Sequence, residues 1–245
     1  MNDLDELFRI EIEEVFGRAG TIQEPERKAL ELAKSWEGKK VIKRCVEYLE
    51  NHPLLTYIDT GFRSFYSEML KNSPDVLEVG CFLGNEGRKL LEGGFKGRYV
   101  GIDINPYHML VGFLLHNDSP DRYVPHGRFE IGDACNMRLQ DSRFDFVYSP
   151  GLIHSLGHEN FEEKVKAHLK EVRRVLKAGG KYFGNTYSSR EWVDTALVPT
   201  PISKQELDTL FENANLQVIE SRELRISSRA DVGRNFLLYF QAVKD

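Results

Sequence analysis

Neither a disulfide framework nor a membrane span is written into this chain. Only three cysteines occur in 245 residues, Cys45, Cys81 and Cys135, an odd number with wide spacing and no CxxC pair. That usage fits a reducing compartment and argues against crosslinking. No stretch reaches the roughly 18 apolar residues a spanning helix needs, and the opening MNDLDELFRIEIEEVF has no apolar h-region. A cytoplasmic protein without a membrane role is the expectation. Positive charge is in deficit too: 33 Lys and Arg against 38 Asp and Glu leave a formal charge of -5, which gives no support to a nonspecific nucleic-acid surface. The HExxH pattern is missing. His154 and His158 stand four apart in HSLGH with Gly157 between them, so no metal site is expected.

What is present organises around one crossover. In DVLEVGCFLGNEGRKLLEGGFKGRYVGID, Asp75 to Asp103, an apolar run from Val76 to Val79 breaks at Gly80 and meets a second glycine at Gly84. A periodic segment through Leu90 and Leu91 turns at Gly93-Gly94, and a second apolar run, Tyr99 to Ile102, ends on Asp103. The pattern predicts a strand, a glycine-bearing loop, a helix and a second strand. Ligands of α/β proteins sit outside the carboxyl ends of such strands, where backbone N–H groups and a helix N-terminus open. A cofactor site built from Glu78 to Asn85 and Asp103 follows. A carboxylate in the position of Asp103 suits a vicinal diol, because it accepts two hydrogen bonds at once. That chemistry also fits a nicotinamide cofactor, but Phe82 to Asn85 puts the glycines out of register for GxGxxG.

Around the crossover the elements alternate. Residues 1–66 read as a helical extension or substrate cap, with Leu4, Phe8, Ile12 and Val15 at helix spacing, and residues 67–245 read as the main domain. The aromatics Tyr57, Phe62, Phe65 and Tyr66 lead into the first strand. Further strands are expected at RFEI before Gly132 and at Phe144 to Ser149, then a long amphipathic helix from about Asn160 to Leu176, ended by Ala178-Gly179-Gly180, and a fifth strand from Lys181 to Gly184. Ser203 and Glu206 form a capping box, SKQE, ahead of a helix burying Leu207, Leu210 and Phe211. Leu216 to Ile219 and Phe236 to Val243 are then expected to pair as an antiparallel hairpin, whose turn gathers Arg222, Arg225, Arg229 and Arg234. The resulting class is α/β: a mostly parallel sheet closed by a reversed pair.

Five stretches in register resemble the class I S-adenosylmethionine-dependent methyltransferases: LEVGCFLG (Leu77 to Gly84), GIDIN (Gly101 to Asn105), GDA (Gly132 to Ala134), FDFVYSPGLIH (Phe144 to His154) and LKEVRRVLKAGGKYF (Leu169 to Phe183). The resemblance implies a three-layer Rossmann-like fold with a seven-stranded sheet, S-adenosylmethionine as cofactor, and methyl transfer to an oxygen, nitrogen or carbon nucleophile of a small metabolite. Alternatives within the same fold are an RNA or protein methyltransferase and a non-catalytic cofactor-binding or scaffold protein. The resemblance also implies roles. Glu78 orients the methionine ammonium, Gly80 and Gly84 let the backbone pass close to the cofactor, and Asp103 takes the ribose hydroxyls. Ile104 packs on the adenine, Asp133 accepts from the adenine amino group with Ala134 contributing backbone, and the Ser149 carbonyl meets the methionine ammonium. His154 and His158 are the candidates for general base or substrate contact, and Tyr148 is expected to pack. Phe82 is the departure, standing where many members carry glycine. Tyr187 and Trp192, in the segment to Pro201, are candidates for an apolar wall over the substrate. The sequence leaves the oligomeric state open.

Overall fold

A computed structural model describes residues 69–72, 74–82, 93–105, 127–157, 159–188, 201–226 and 235–245, together with Lys40, Lys43, Gly84, Gly87 and Leu90. Seven strands, β1 (Asp75–Val79), β2 (Arg98–Asp103), β3 (Gly127–Ile131), β4 (Phe144–Pro150), β5 (Leu176–Tyr187), β6 (Leu216–Ile226) and β7 (Asn235–Lys244), form one sheet in the order β3-β2-β1-β4-β5-β7-β6. The sheet is mixed and mostly parallel. β1 pairs parallel with β4 and β4 with β5, whereas β7 runs antiparallel between β5 and β6. The expected α/β class and closing antiparallel pair are therefore found. The proposed extension over residues 1–66 lies outside the described residues except for Lys40 and Lys43, as do Trp192 and most of the helix expected from Asn85 to Leu91.

The chain divides into two compact units. One comprises Met1–Asn72, Cys81–Lys96 and Val100–Ile131, the other Ser73–Gly80, Gly97–Tyr99 and Gly132–Asp245. In the second unit, β1 and β4 are apolar because both faces are covered: Val76, Leu77, Val79, Val147 and Tyr148 are all at most 1% exposed. Helix α1 (Phe161–Val175) buries Val165, Leu169, Val172 and Val175, an i, i+4, i+7, i+10 stripe. Each such side chain contributes about 1.5–3 kcal/mol on full burial. Helix α1 ends one residue earlier than expected, because Leu176 adopts an extended conformation and opens β5, pairing with Phe144. Ala178-Gly179-Gly180 thus lies inside the strand, at an irregularity of the β4–β5 register, and does not terminate the helix.

The amino ends of β1 and β4 are tied electrostatically. Asp75 accepts a bidentate pair from Arg98 at 2.6 and 2.5 Å, which holds its carboxyl below the usual range, and its own N–H donates to Asp145 at 2.8 Å. Lys177 closes the group on Asp145 at 2.9 Å. The loop after β3 is clipped to α1 by Arg174, which donates to Glu171, Asp141 and the carbonyls of Met137 and Leu139. Helix α2 (Lys204–Asn213) starts on the predicted capping box: Ser203 Oγ accepts from the Glu206 N–H at 3.2 Å, and Glu206 accepts from the Ser203 N–H at 2.9 Å. Ser203→Ala is expected to cost about 1 kcal/mol, read as a lower urea midpoint at unchanged slope.

Candidate functional site

Apart from His158, the predicted site residues follow the carboxyl ends of β1, β2 and β4 and the residues just after β3. In the unit that holds Cys81–Lys96 and Val100–Ile131, Asp103 is the centre. It ends β2 with only 8% of its surface exposed. Its Oδ2 accepts the N–H of Phe82 at 2.9 Å, and its Oδ1 accepts the N–H of Asn105 at 2.8 Å. A carboxylate accepts on both oxygens, and a backbone donor on each fixes the plane of this one.

Phe82, the departure from the glycine pattern, sits in the left-handed region at φ 50°. The glycine conformation is kept without the glycine, and the N–H donated to Asp103 helps hold it there. Gly84 cannot be replaced so simply. Its φ is +75°, and a Cβ would fall 2.6 Å from Cζ of Phe129, so the backbone passes against an aromatic ring at a spacing only glycine allows. Cys81, beside them, is buried and donates its N–H to the Ile102 carbonyl at 3.0 Å. Ile104 is 68% exposed, an apolar side chain presented outward right after the acid.

In the second unit, Glu78 is 1% exposed. Its Oε2 accepts from the Tyr148 hydroxyl at 2.8 Å and also from the Tyr99 hydroxyl. Tyr148 therefore does more than pack: with Tyr99 it fixes the carboxylate from the neighbouring strands. Gly80 follows at φ +73°, where a Cβ would come within 2.9 Å of Leu152.

Asp133, exposed, shapes the turn after β3, accepting the Cys135 N–H at 2.8 Å on Oδ1 and the Asn136 N–H at 3.1 Å on its carbonyl. Burial pushes the Cys135 thiol up, so it is a protonated filler at neutral pH.

Ala134 and Ser149 are joined through two side chains that sequence reasoning missed. His168 on α1, completely buried, places Nδ1 3.2 Å from the Ala134 carbonyl and Nε2 2.8 Å from the Tyr182 hydroxyl; that hydroxyl is 2.5 Å from Ser149 Oγ. Donor counting fixes the direction of this relay. A carbonyl only accepts, so Nδ1 carries the proton and Nε2 is the acceptor. Tyr182 then donates to His168, and Ser149 donates to Tyr182. Burial drives His168 down to about 4 and the Tyr182 hydroxyl upward, so both stay neutral. One signal was available in the sequence: a histidine inside the apolar stripe of α1, next to Leu169.

Of the two histidine candidates, His158 lies outside the described residues. His154 sits in a 3-10 turn (Ile153–Ser155) just after β4, half-buried, with its ring edge-on to Tyr187 at 4.6 Å and Nδ1 3.5 Å from Thr186 Oγ1. Burial lowers it to about 4. At neutral pH it is an uncharged imidazole that accepts a hydrogen bond and is a weak proton acceptor.

Arg222, from the expected arginine group, faces Glu220 at 3.6 Å. No cluster of three metal-ligating side chains occurs among the described residues, and no described helix is long and apolar enough to cross a membrane. A groove of about 450 Å³ between the start of α1 and α2, lined by Phe161, Ile202 and Leu210, contains none of the predicted cofactor or catalytic residues.

Residues 77–184 match a methyltransferase domain family. The chain is 30% identical over 126 residues to squalene methyltransferase 1 of Botryococcus braunii, covering 51% of this chain and 30% of that protein. It is 28% identical over 137 residues to demethylmenaquinone methyltransferase of Staphylococcus saprophyticus, covering 56% of this chain and 51% of that one. The chain thus spans only a third to a half of the length of these curated relatives. Among solved structures, a SAM-dependent methyltransferase of Methanosarcina mazei superposes with a TM-score of 0.60 at 17% identity, over 74% of this chain and 96% of that one. Through residues 77–184, somewhat under half of its length, the chain matches a methyltransferase domain, and its sheet has the Rossmann-like fold of the SAM-dependent methyltransferases.

Proposed function

We propose that this protein transfers a methyl group from S-adenosylmethionine to a small lipophilic acceptor. The observation that carries the reading is Asp103, a buried carboxylate at a strand end whose two oxygens are each fixed by one backbone N–H. It fits a nucleoside, because a diol needs an acceptor of two hydrogen bonds and this one is already oriented. Ile104, exposed beside it, offers the apolar surface an adenine ring covers, and Asp133 with the Ala134 backbone takes the ring's polar edge. Glu78, buried and held by two tyrosine hydroxyls, suits the ammonium of a methionine tail, with the Ser149 carbonyl as its partner. The positive φ of Gly80 and Gly84 suits backbone that turns close to a ligand.

When bound, the cofactor supplies an electrophilic methyl on a sulfonium, so the chain's contribution is alignment and exclusion of water. His154, neutral and set after β4, suits a hydrogen bond to the acceptor; a base with so low a pKa removes a proton only from a group that is shedding it in the transition state. Lipophilic acceptors are named for both curated relatives, a squalene and a demethylmenaquinone enzyme. Cys81 and Cys135, both free thiols, accord with a reducing cytoplasmic setting.

Calorimetry with S-adenosylmethionine and S-adenosylhomocysteine tests the cofactor, and release of S-adenosylhomocysteine over a panel of lipophilic acceptors tests turnover. Binding of both is expected; a folded protein that binds neither overturns the reading. Binding without turnover of any acceptor leaves a cofactor-binding module.

A further inference from the structure

Among the described residues, one buried side-chain polar atom has no hydrogen-bond partner: Nδ2 of Asn185. The residue is 1% exposed, near the carboxyl end of β5. An amide can be built either way round, but here its orientation is determined. Asn185 Oδ1 accepts the Gly151 N–H at 2.6 Å; turning the amide over would set two donors against each other. Nδ2 therefore makes no hydrogen bond of ordinary geometry in a buried position, an arrangement native proteins rarely keep without a reason.

Register shows what surrounds it. Glu78 lies opposite Tyr148 and Tyr148 opposite Phe183, while Pro150 and Asn185, two residues further along their strands, are opposite each other. Side chains two apart share a face, so Asn185 belongs to the face that carries Glu78, one step nearer the strand ends. The same row continues through Tyr239 and Arg222. Tyr239 is buried, and burial pushes its hydroxyl up, while a loose contact from the Asn185 amide and the charge of Arg222 pull the other way. It is a neutral phenol. Asn185 also holds Gly151, two residues past Ser149. An amide donor, a phenol and a guanidinium thus follow one another outward from the end of β4.

We infer that Asn185 is a recognition residue for the methyl acceptor, donating through Nδ2 to an oxygen of that molecule, and that the acceptor is oxygen-bearing and not a plain hydrocarbon. This rests on the methyltransferase reading above. A carboxylate, phenol or enol oxygen fills the vacant donor. An olefin such as squalene leaves it buried and unpaired, and sites built to hydrogen-bond an oxygen strongly reject analogues that lack one.

The test uses two variants of the full chain. Asn185→Asp keeps the acceptor for Gly151 and removes the donors; Asn185→Leu removes both. Protein loaded with S-adenosylhomocysteine is titrated with dodecanoate, 1,4-dihydroxynaphthalene and squalene. At least one oxygen-bearing probe is expected to bind, about 100-fold more weakly to both variants, while S-adenosylhomocysteine itself binds wild type and variants alike. Equal probe binding by wild type and Asn185→Asp overturns the inference, as does preference for squalene or failure of both oxygen-bearing probes to bind. Loss of S-adenosylhomocysteine binding in the variants alone also overturns it, by assigning Asn185 to the cofactor. Loss in wild type strikes instead at the methyltransferase reading.

Discussion

Asp103→Ala lowers affinity for S-adenosylmethionine by at least about 100-fold, since two charge-assisted hydrogen bonds to the ribose go together. A second loss adds to the first. Asp103 also accepts the N–H groups of Phe82 and Asn105, and Phe82 occupies a left-handed conformation that costs a non-glycine residue about 1 kcal/mol or more. Without the carboxylate, nothing in that pair of bonds holds the turn, and the loop carrying Gly84 relaxes with it. Asp103→Asn separates size from chemistry. Its single oxygen serves one of the two backbone donors while its NH2 confronts the other, so it is expected to fall close to alanine and far from wild type. Calorimetry on both variants, with circular dichroism to confirm folding, checks this. Unchanged affinity in folded Asp103→Ala refutes the ribose assignment.

The contrast between Asp103 and Asn185 explains how much could be read from the sequence. Asp103 ends an apolar run that follows a glycine loop, a pattern contained within 29 residues, Asp75 to Asp103, so strand, loop and acid were all visible. Strands β1, β2 and β4 were legible for the same reason: covered on both faces, they appear as apolar runs cut off by Gly, Asp or Pro. β6 was foreseen only to Ile219 although it runs to Ile226. Its later part, ESRELRI, is mostly polar, and it is held as a strand by pairing with β7 alone, a partner with no local trace. β5 began early for a similar reason: Ala178-Gly179-Gly180 reads as a turn until Leu176 is seen opposite Phe144.

The polar groups that set the site's shape lie furthest from sequence reasoning. Tyr99 and Tyr148 meet on Glu78 from positions 21 and 70 residues away, and His168 reaches Ala134 across 34. Each of these residues looks like core in its own segment. Only the folding of the chain gathers them into two hydrogen-bonded groups, one on Glu78 and one through His168.

The group through His168 gives the second large effect, a loss of stability on mild acidification. His168 is pushed down to about 4 in the folded protein by burial, against about 6.5 in an unfolded chain. Between those values the unfolded state binds the extra proton, so stability rises with pH across the window and is complete above about pH 6.5. Moving from pH 7 to pH 5 therefore costs about 2 kcal/mol from His168 alone. His154, lowered to about 4 by burial as well, adds in the same direction, whereas Asp75 and Glu171, with carboxyls held below their usual range, add in that direction mainly at lower pH, where unfolded carboxyls take up protons. His168→Gln isolates the relay: the amide oxygen accepts from Tyr182 and the NH2 donates to the Ala134 carbonyl, with no proton to gain. Urea unfolding of wild type and His168→Gln at pH 7 and pH 5 should show the wild type losing about 2 kcal/mol more than the variant; parallel losses refute the assignment. Because the folded relay stays neutral until about pH 4, its hydrogen bonds to Tyr182 and Ala134 persist at pH 5. On the proposal that Ala134 and Ser149 contact the cofactor, stability falls across this window while His168 leaves affinity for S-adenosylhomocysteine flat, separating a proton taken up on unfolding from one taken up at the site.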